Sequence, residues 1–139
     1  MTVIAVPFLW LGMVLAISFL EAPLKFRAPG ITLPLGLGIG RLVFGALNIA
    51  EVVLAAVLVV VGVAVDLPRA AWLLVAALVA VLAVQVLVLR PRLDRRARQI
   101  LAGHTPSPSR QHLAYIVLEG AKVLALPALG AVVAVSVLP

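Results

Sequence analysis

The chain has 139 residues, of which 65% are hydrophobic and 12% are charged, and its mean hydropathy is +1.27. A soluble globular domain is typically about half apolar and about a quarter charged, so this composition excludes an ordinary soluble domain and indicates one compact unit dissolved in lipid. The formal charge of +6 lies mainly on arginines between apolar runs, which favours membrane orientation over nucleic-acid binding, and the absence of cysteine excludes disulfides and thiolate chemistry.

Four apolar runs are each long enough to cross a bilayer core of about 30 Å, which requires about 20 helical residues. They cover about residues 2–20, 37–65, 70–89 and 112–138. The sequence therefore predicts an all-α integral membrane protein with a single four-helix transmembrane domain over residues 1–139. The first run lacks the basic start and the small-residue cleavage site of a secretory signal peptide, so we expect it to remain as a membrane helix.

The connections between these runs differ in character. Residues 21–36 contain three prolines, which predicts a broken connection. Pro68 predicts a tight turn after the second run, because proline cannot continue a helix. Between residues 92 and 102, apolar residues recur at helical spacing opposite the arginines, which predicts an amphipathic helix on the membrane surface that stops at Gly103. Ser109 is then expected to cap the last spanning helix.

The distribution of basic residues predicts an orientation. Eight lysines and arginines lie in the first and third connections, whereas only Arg69 lies in the second. By the positive-inside rule, residues 21–36 and 90–111 are expected on the cytoplasmic side of a bacterial inner (plasma) membrane, with both termini outside. The surface helix also offers a contact for anionic lipid through four of its arginines: Arg92, Arg95, Arg96 and Arg98.

The last apolar run contains four polar residues at helical spacing. His112, Tyr115, Glu119 and Lys122 are separated by 3, 4 and 3 residues, so they lie on one face of the helix. A charge at the centre of a bilayer costs at least about 2.5 kcal/mol, so such residues are usually paired, buried between helices or exposed to water. This polar stripe therefore predicts a face that points into the bundle.

The second run has a matching polar stripe, formed by Arg41, Asn48 and Glu51. Glu51 lies ten residues beyond Arg41, and Lys122 lies ten residues beyond the start of its own stripe, so the two charges should lie at similar depth. The sequence therefore predicts a buried ion pair between Glu51 and Lys122.

The remaining polar residues in or near the apolar runs also have expected partners. For Glu119 there are three candidates: Tyr115, Asn48 and Arg41. Glu21, at the inner end of the first helix, is expected to reach Lys25 or Arg41, and Gln85 adds one polar group to the third helix.

A cluster of this composition favours a polar cavity in the cytoplasmic half, as in a small transporter or channel-like protein for a solute or ion. Two alternatives remain open. Buried polar pairs can simply fix helix register in a non-catalytic membrane partner or assembly factor. His112 could also serve a haem- or quinone-binding protein. No enzymatic activity, metal site or resident cofactor is predicted, because the sequence has neither a nucleophile motif nor a recognised set of metal ligands.

Small and aromatic residues predict packing and position. Gly36 and Gly40 are spaced as in helix pairs whose backbones approach closely, and the glycine- and alanine-rich faces favour a homo-oligomer, most simply a dimer. Trp10 and Trp72 lie near the outer ends of their helices, where we expect them to anchor the protein at the membrane interface.

Part of the chain resembles a known group of proteins. The residues that carry the likeness are Trp10, Leu11, Gly12, Ala22, Pro23 and Phe26, then the glycine-led segment 36–44, and more loosely "HLAYIVLE" at 112–119. Together they resemble small four-helix bacterial membrane proteins of the copper-resistance-D-like and transmembrane-205-like kind, many of unknown function. The resemblance covers about a third of the chain and implies four helices. A copper function would need soft ligands, which Met1 and Met13 alone do not supply.

Overall fold

A computed structural model describes residues 1–105 and 110–139. Its four long helices are α1 (Thr2–Arg27), α2 (Leu33–Ala64), α3 (Arg69–Leu101) and α4 (Gln111–Val137). Each is long and apolar enough to cross a membrane, which confirms the predicted helical class and the count of four. The predicted cap Ser109 lies outside the described residues.

The four helices form a ring in which each one packs against two neighbours. Both α1 and α3 pack against α2 and against α4, so α2 and α4 lie on opposite corners of the bundle. The apolar core fills one half of the interior with large side chains from all four helices: Val3, Trp10, Val14, Leu58, Leu78, Leu126 and Leu129. Polar residues occupy the middle of the bundle, beyond this apolar half.

The ends of α2 follow from local sequence. The Thr32 side chain accepts a hydrogen bond from the Leu35 backbone N–H at 3.2 Å, and Pro34 occupies the first turn, where its missing N–H costs nothing. At the other end Asp66 adopts a left-handed conformation with φ of 53°, and α3 begins directly after Pro68. The tight turn predicted at Pro68 is therefore confirmed.

The predicted broken connection over residues 21–36 is wrong in extent. Helix α1 continues through Pro23 to Arg27, so only residues 28–32 separate it from α2. The turn before this proline is a π-helix over Leu15–Glu21. A π-turn is wider than an α-turn, and this widening gives the proline ring more room beside the carbonyl groups of the preceding turn.

The predicted surface helix over residues 92–102 is helical, but the prediction that it is separate is wrong. Residues Arg90–Leu101 continue α3 without a break and pack against α2. A second π-turn, over Gln85–Leu89, precedes Pro91 in the same way as the first precedes its proline. Helix α3 therefore extends twelve residues beyond the predicted end at residue 89, and it brings additional charges to the side of α2.

The glycines of α2 make room for side chains instead of another backbone. A Cβ atom at Gly36 would overlap the ring of Phe26, and one at Gly40 would lie 3.0 Å from the Lys25 ammonium. Within the chain, the predicted close approach of two helix backbones at this glycine pair is therefore wrong. Side chains from the end of α1 occupy the space that the two glycines leave.

Candidate functional site

Four polar side chains are almost completely buried in the middle of the bundle. The exposed fractions of Glu51, Gln85 and Lys122 are 0%, and that of Glu119 is 1%. Helix α2 supplies the first, α3 the second, and α4 the remaining two, while α1 adds Trp10 and Ser18. We call these six residues the central cluster. All four helices contribute to it, so its geometry depends on the whole bundle.

Lys122 lies between two carboxylates. Its Nζ atom is 2.5 Å from Glu51 Oε2 and 2.5 Å from Glu119 Oε1. Glu119 is three residues earlier on the same helix, whereas Glu51 reaches across the bundle from α2. This contact confirms the predicted ion pair between Glu51 and Lys122. The prediction was possible because helical spacing determines which side chains point inward and at what depth.

Glu51 has a second donor from α1. The Trp10 indole Nε1–H donates to Glu51 Oε2 at 2.7 Å, and the tryptophan is fully buried. The prediction that Trp10 anchors the protein at the membrane interface is therefore wrong. An indole N–H that is buried requires an acceptor, and this carboxylate provides one. Glu51 Oε1 has no hydrogen-bond partner among the described residues.

Glu119 is held from both sides by hydroxyl and amide groups. Ser18 Oγ donates to its Oε2 atom at 2.5 Å, and Gln85 Nε2 donates to its Oε1 atom at 2.8 Å. Ser18 belongs to the π-turn of α1 and Gln85 to the π-turn of α3. The three partners predicted for this carboxylate are therefore wrong: Tyr115, Asn48 and Arg41.

The ionisable groups of the central cluster do not balance. With Glu51 and Glu119 ionised and Lys122 protonated, two negative charges and one positive charge leave a net charge of −1 in a fully buried volume. An uncompensated charge in an apolar interior is costly, so one more positive charge would stabilise the cluster. A bound proton is the smallest species that supplies this charge.

Tyr115 and Asn48 connect the central cluster to one side of the bundle. The Tyr115 hydroxyl donates to Asn48 Oδ1 at 3.1 Å, and its ring packs edge-on against Phe44 with centroids 5.8 Å apart. The Tyr115 backbone carbonyl accepts from Gln85 Nε2 at 3.4 Å. Asn48 is 6% exposed, and its Nδ2 group has no partner among the residues that the structure describes.

Arg41 lies outside the central cluster, in a charged group between α2 and α3. Arg41 Nε is 3.6 Å and Arg90 Nε is 3.5 Å from the same Asp94 oxygen, and Arg90 Nη2 donates to the Arg41 carbonyl. The predicted membership of Arg41 in the buried site is wrong, because the unexpected extension of α3 supplies a carboxylate closer to it.

A groove of about 570 Å³ separates α2 from α3 and joins this charged group to Asn48. Its lining consists of glycines, apolar side chains and the polar residues just described: Gly38, Arg41, Leu42, Gly45, Asn48, Ile49, Val86, Arg90 and Asp94. The groove is open along one side, so a molecule could enter it laterally. The central cluster lies beyond Asn48 and Tyr115, which separate it from the groove.

The remaining predicted residues lie elsewhere. His112 is exposed at the start of α4, away from the central cluster. Glu21 pairs with Lys25 at 3.7 Å, as predicted, and the Lys25 ammonium also lies over the rings of Phe26 and Phe44. Over residues 1–105 and 110–139, no three His, Cys, Asp or Glu side chains come together as a metal-binding group.

Sequence reasoning missed three residues that shape the site. Trp10 and Ser18 lie on the same helix eight residues apart, which is close to two helical turns, so they share a face. Their spacing is the sign in the sequence that both point inward, but it is weak because neither residue is charged. Asp94 lay in a segment interpreted as a separate surface helix, and its role depends on α3 continuing.

Comparisons of the chain with protein-family models, with curated proteins and with solved structures find no match. The resemblance to small four-helix bacterial membrane proteins therefore stays a prediction. What the central cluster and the groove can do follows from their geometry and chemistry alone.

Proposed function

We propose that this is a small integral membrane protein that carries protons across the bilayer through the central cluster. The observation that carries the proposal is Lys122, which is shared by two carboxylates that water does not reach. Intramembrane ionisable groups are expensive and typically mark ion or proton pathways. With both carboxylates ionised and the lysine protonated, the cluster has a net charge of −1, which the uptake of one proton neutralises.

Glu119 is the carboxylate best suited to hold the transferred proton. Its Oε2 atom is bonded to the Ser18 hydroxyl, which can accept a hydrogen bond as readily as it donates one. A protonated Glu119 can therefore keep this contact by reversing its direction. In contrast, Glu51 Oε2 is bonded to an ammonium and an indole N–H, which only donate, so protonation of that oxygen would break both contacts. A proton on Glu51 Oε1 would have no acceptor among the described residues.

The groove supplies the entry side for protons. Water in the groove can reach Asn48, which lines it, and the Asn48 side chain accepts from the Tyr115 hydroxyl. Tyr115 and Glu119 are four residues apart on one face of α4, and Gln85 Nε2 donates to the Tyr115 backbone carbonyl and to Glu119 Oε1. In the orientation expected from the basic residues, this groove opens toward the cytoplasmic side.

Reconstituted vesicles provide the test. Purified protein in liposomes with a trapped pH-sensitive dye should show inward proton flux when a potassium gradient and valinomycin impose an inside-negative potential. Glu119→Gln should reduce this flux at least about tenfold, because an amide cannot bind and release the proton. A positioned acid or base typically raises the rate of a proton-transfer step on the order of 100-fold or more. The measurement is the initial rate of dye response per reconstituted protein.

Asp66→Asn is the matched control for this experiment. It makes the same carboxylate-to-amide change at an exposed turn residue, where asparagine tolerates the left-handed conformation, so its flux should equal that of the wild type. A wild-type flux no greater than that of protein-free liposomes would overturn the proposal. So would a Glu119→Gln protein that conducts at the wild-type rate.

A structural role in assembly is the second candidate, and one observation favours it. The central cluster residues bond directly to one another across all four helices, so they can fix helix register without moving any ion. A non-conducting protein that loses its fold when the cluster is altered would favour this role. We further propose, from the sequence, that the protein forms a homo-oligomer.

A further inference from the structure

We infer that the groove between α2 and α3 binds one anionic phospholipid, with its phosphate at Arg41 and Arg90 and an acyl chain along the apolar part of the groove. This inference concerns the groove that the proposed function uses as the entry side for protons, but lipid binding there does not depend on proton transport. The first observation is charge. Two guanidinium groups share the single carboxylate of Asp94, so the charged end of the groove has a net charge of +1.

The second observation is that two residues lining the groove carry buried N–H donors without a hydrogen-bond partner among the described residues. Arg41 Nε is buried and lacks a hydrogen-bond partner among the described residues, because its 3.6 Å distance from Asp94 is too long for one. Asn48 Nδ2 is likewise without a partner in the described part of the chain, although its side chain is more than nine-tenths buried. Buried donors normally have acceptors, and phosphate and ester oxygens are acceptors of the required kind.

The third observation is the shape and polarity of the groove. From Gly38 to Ile49 the lining of α2 extends eleven residues, which is about 16 Å at 1.5 Å per residue. Beyond the charged end the lining is Asn48, Ile49 and Val86, which offers a mainly apolar channel, and Gly45 leaves space beside the Arg90 guanidinium. A soluble anion would use only the charged end, whereas an anionic lipid uses both parts.

Lipid titration followed by native mass spectrometry tests the inference. Delipidated protein in detergent is titrated with phosphatidylglycerol and with phosphatidylcholine that has the same acyl chains. One phosphatidylglycerol should bind per chain at least about tenfold more tightly than phosphatidylcholine. Both lipids carry the phosphate, but only phosphatidylglycerol has a net charge of −1 to match the charge of the site, whereas the choline ammonium is repelled by it. Arg41→Gln combined with Arg90→Gln should remove this preference.

The matched control is Arg27→Gln combined with Arg69→Gln. It removes the same charge from exposed positions that do not line the groove, and it should leave the tight binding of one lipid intact. Asp94→Asn provides a change of opposite sign: it raises the charge of the site from +1 to +2, so phosphatidylglycerol should bind more tightly. Gly45→Leu fills the groove without changing charge and should weaken binding of both lipids.

Four results would overturn the inference. These are equal binding of the two lipids, an equal effect of the control pair and the groove pair, weaker phosphatidylglycerol binding by Asp94→Asn, and unchanged lipid binding by Gly45→Leu. If Gly45→Leu leaves lipid binding unchanged and also shifts the protein from dimer to monomer, a second copy of the chain occupies the groove. The Asp94→Asn and Gly45→Leu variants keep the test decisive even if the double arginine variant does not fold.

Discussion

Lys122 is the residue on which the central cluster depends. It neutralises part of the charge on two carboxylates that have almost no exposure, and no other cation within the described residues is bonded to either of them. A buried ion pair adds little stability compared with an apolar pair, but the loss of one partner leaves an uncompensated charge and is strongly destabilising. Whether a substitution here stabilises or destabilises the protein therefore depends on which charges remain.

We predict that Lys122→Met destabilises the protein by about 3–5 kcal/mol, because it leaves Glu51 and Glu119 buried without their ammonium partner. Adding Glu51→Gln and Glu119→Gln to the same protein should recover most of this loss, since the interior then contains no formal charge. Unfolding by denaturant in mixed micelles, followed by circular dichroism, measures both changes.

Lys25→Met serves as the control for that series. Its ammonium has one ion pair of 3.7 Å with a partly exposed glutamate and two cation–π contacts, and its removal leaves no fully buried carboxylate unpaired. The expected loss is therefore about 1–2 kcal/mol. If the triple variant is as unstable as Lys122→Met alone, the destabilisation does not come from unbalanced charge, and the electrostatic interpretation of the cluster fails.

At the scale of helices, both π-turns contribute a side chain to the central cluster. Each precedes a proline, and each carries a side chain that bonds to Glu119: Ser18 from α1 and Gln85 from α3. Proline alone does not require a wide turn, because Pro127 lies within a regular α-helical stretch of α4. The π-turns thus coincide with the two places where a neighbouring helix contacts this carboxylate, and π-turns are frequent at functional sites.

Packing between α1 and α4 gives a prediction at the same scale. A Cβ atom at Gly130 would lie 2.6 Å from the Phe8 ring, which is half-exposed and must shift to make room, so Gly130→Ala should destabilise the bundle by about 1–2 kcal/mol. Adding Phe8→Ala should restore part of the loss. Thermal unfolding of the purified variants in one detergent measures the effect.

Gly120→Ala is the matched control on the same helix. Nothing lies within 4 Å of a Cβ atom built at this position, and alanine is the better helix former, so stability should stay within about 1 kcal/mol of the wild type or rise. Equal destabilisation by the two alanines would show that Phe8 does not set the separation of α1 and α4.

Helical spacing explains which parts of the site could be predicted. Glu51 and Lys122 were paired correctly, because periodicity determines the face of each helix and counting residues determines depth. Trp10 and Ser18 could not be placed in the same way, since no periodic charge marks the inward face of α1. The partner of Arg41 depended on whether α3 ends near residue 89, and the π-turn that lets it continue past Pro91 has no simple pattern in the sequence.

At the scale of the whole molecule, side-chain polarity changes along the bundle. Large apolar residues fill one half, the central cluster lies in the middle, and the group formed by Arg41, Arg90 and Asp94 lies beyond it. Basic residues are concentrated at this last end. In the membrane protein that we propose, that end faces the cytoplasm and both termini lie outside.

Single cysteines test this orientation, because the natural chain has none and needs no prior removal. Thr105→Cys and Asp66→Cys place a thiol in exposed connections at opposite ends of the bundle. In intact cells, a membrane-impermeant maleimide should label the cysteine at position 66, whereas the one at position 105 should react only after permeabilisation. The opposite pattern would reverse the orientation and would place the groove on the outer side.

The position of α4 in the chain has a consequence for biosynthesis. Helix α4 contains both Glu119 and Lys122 and is the least hydropathic of the four candidate spans, so it is the one that enters lipid least readily by itself. Its partners on the other helices, Ser18, Glu51 and Gln85, all precede it in the sequence. In the membrane protein that we propose, the acceptor and donors for the charges of α4 have already been synthesised when α4 is inserted, so its insertion can be completed by assembly with the three preceding helices.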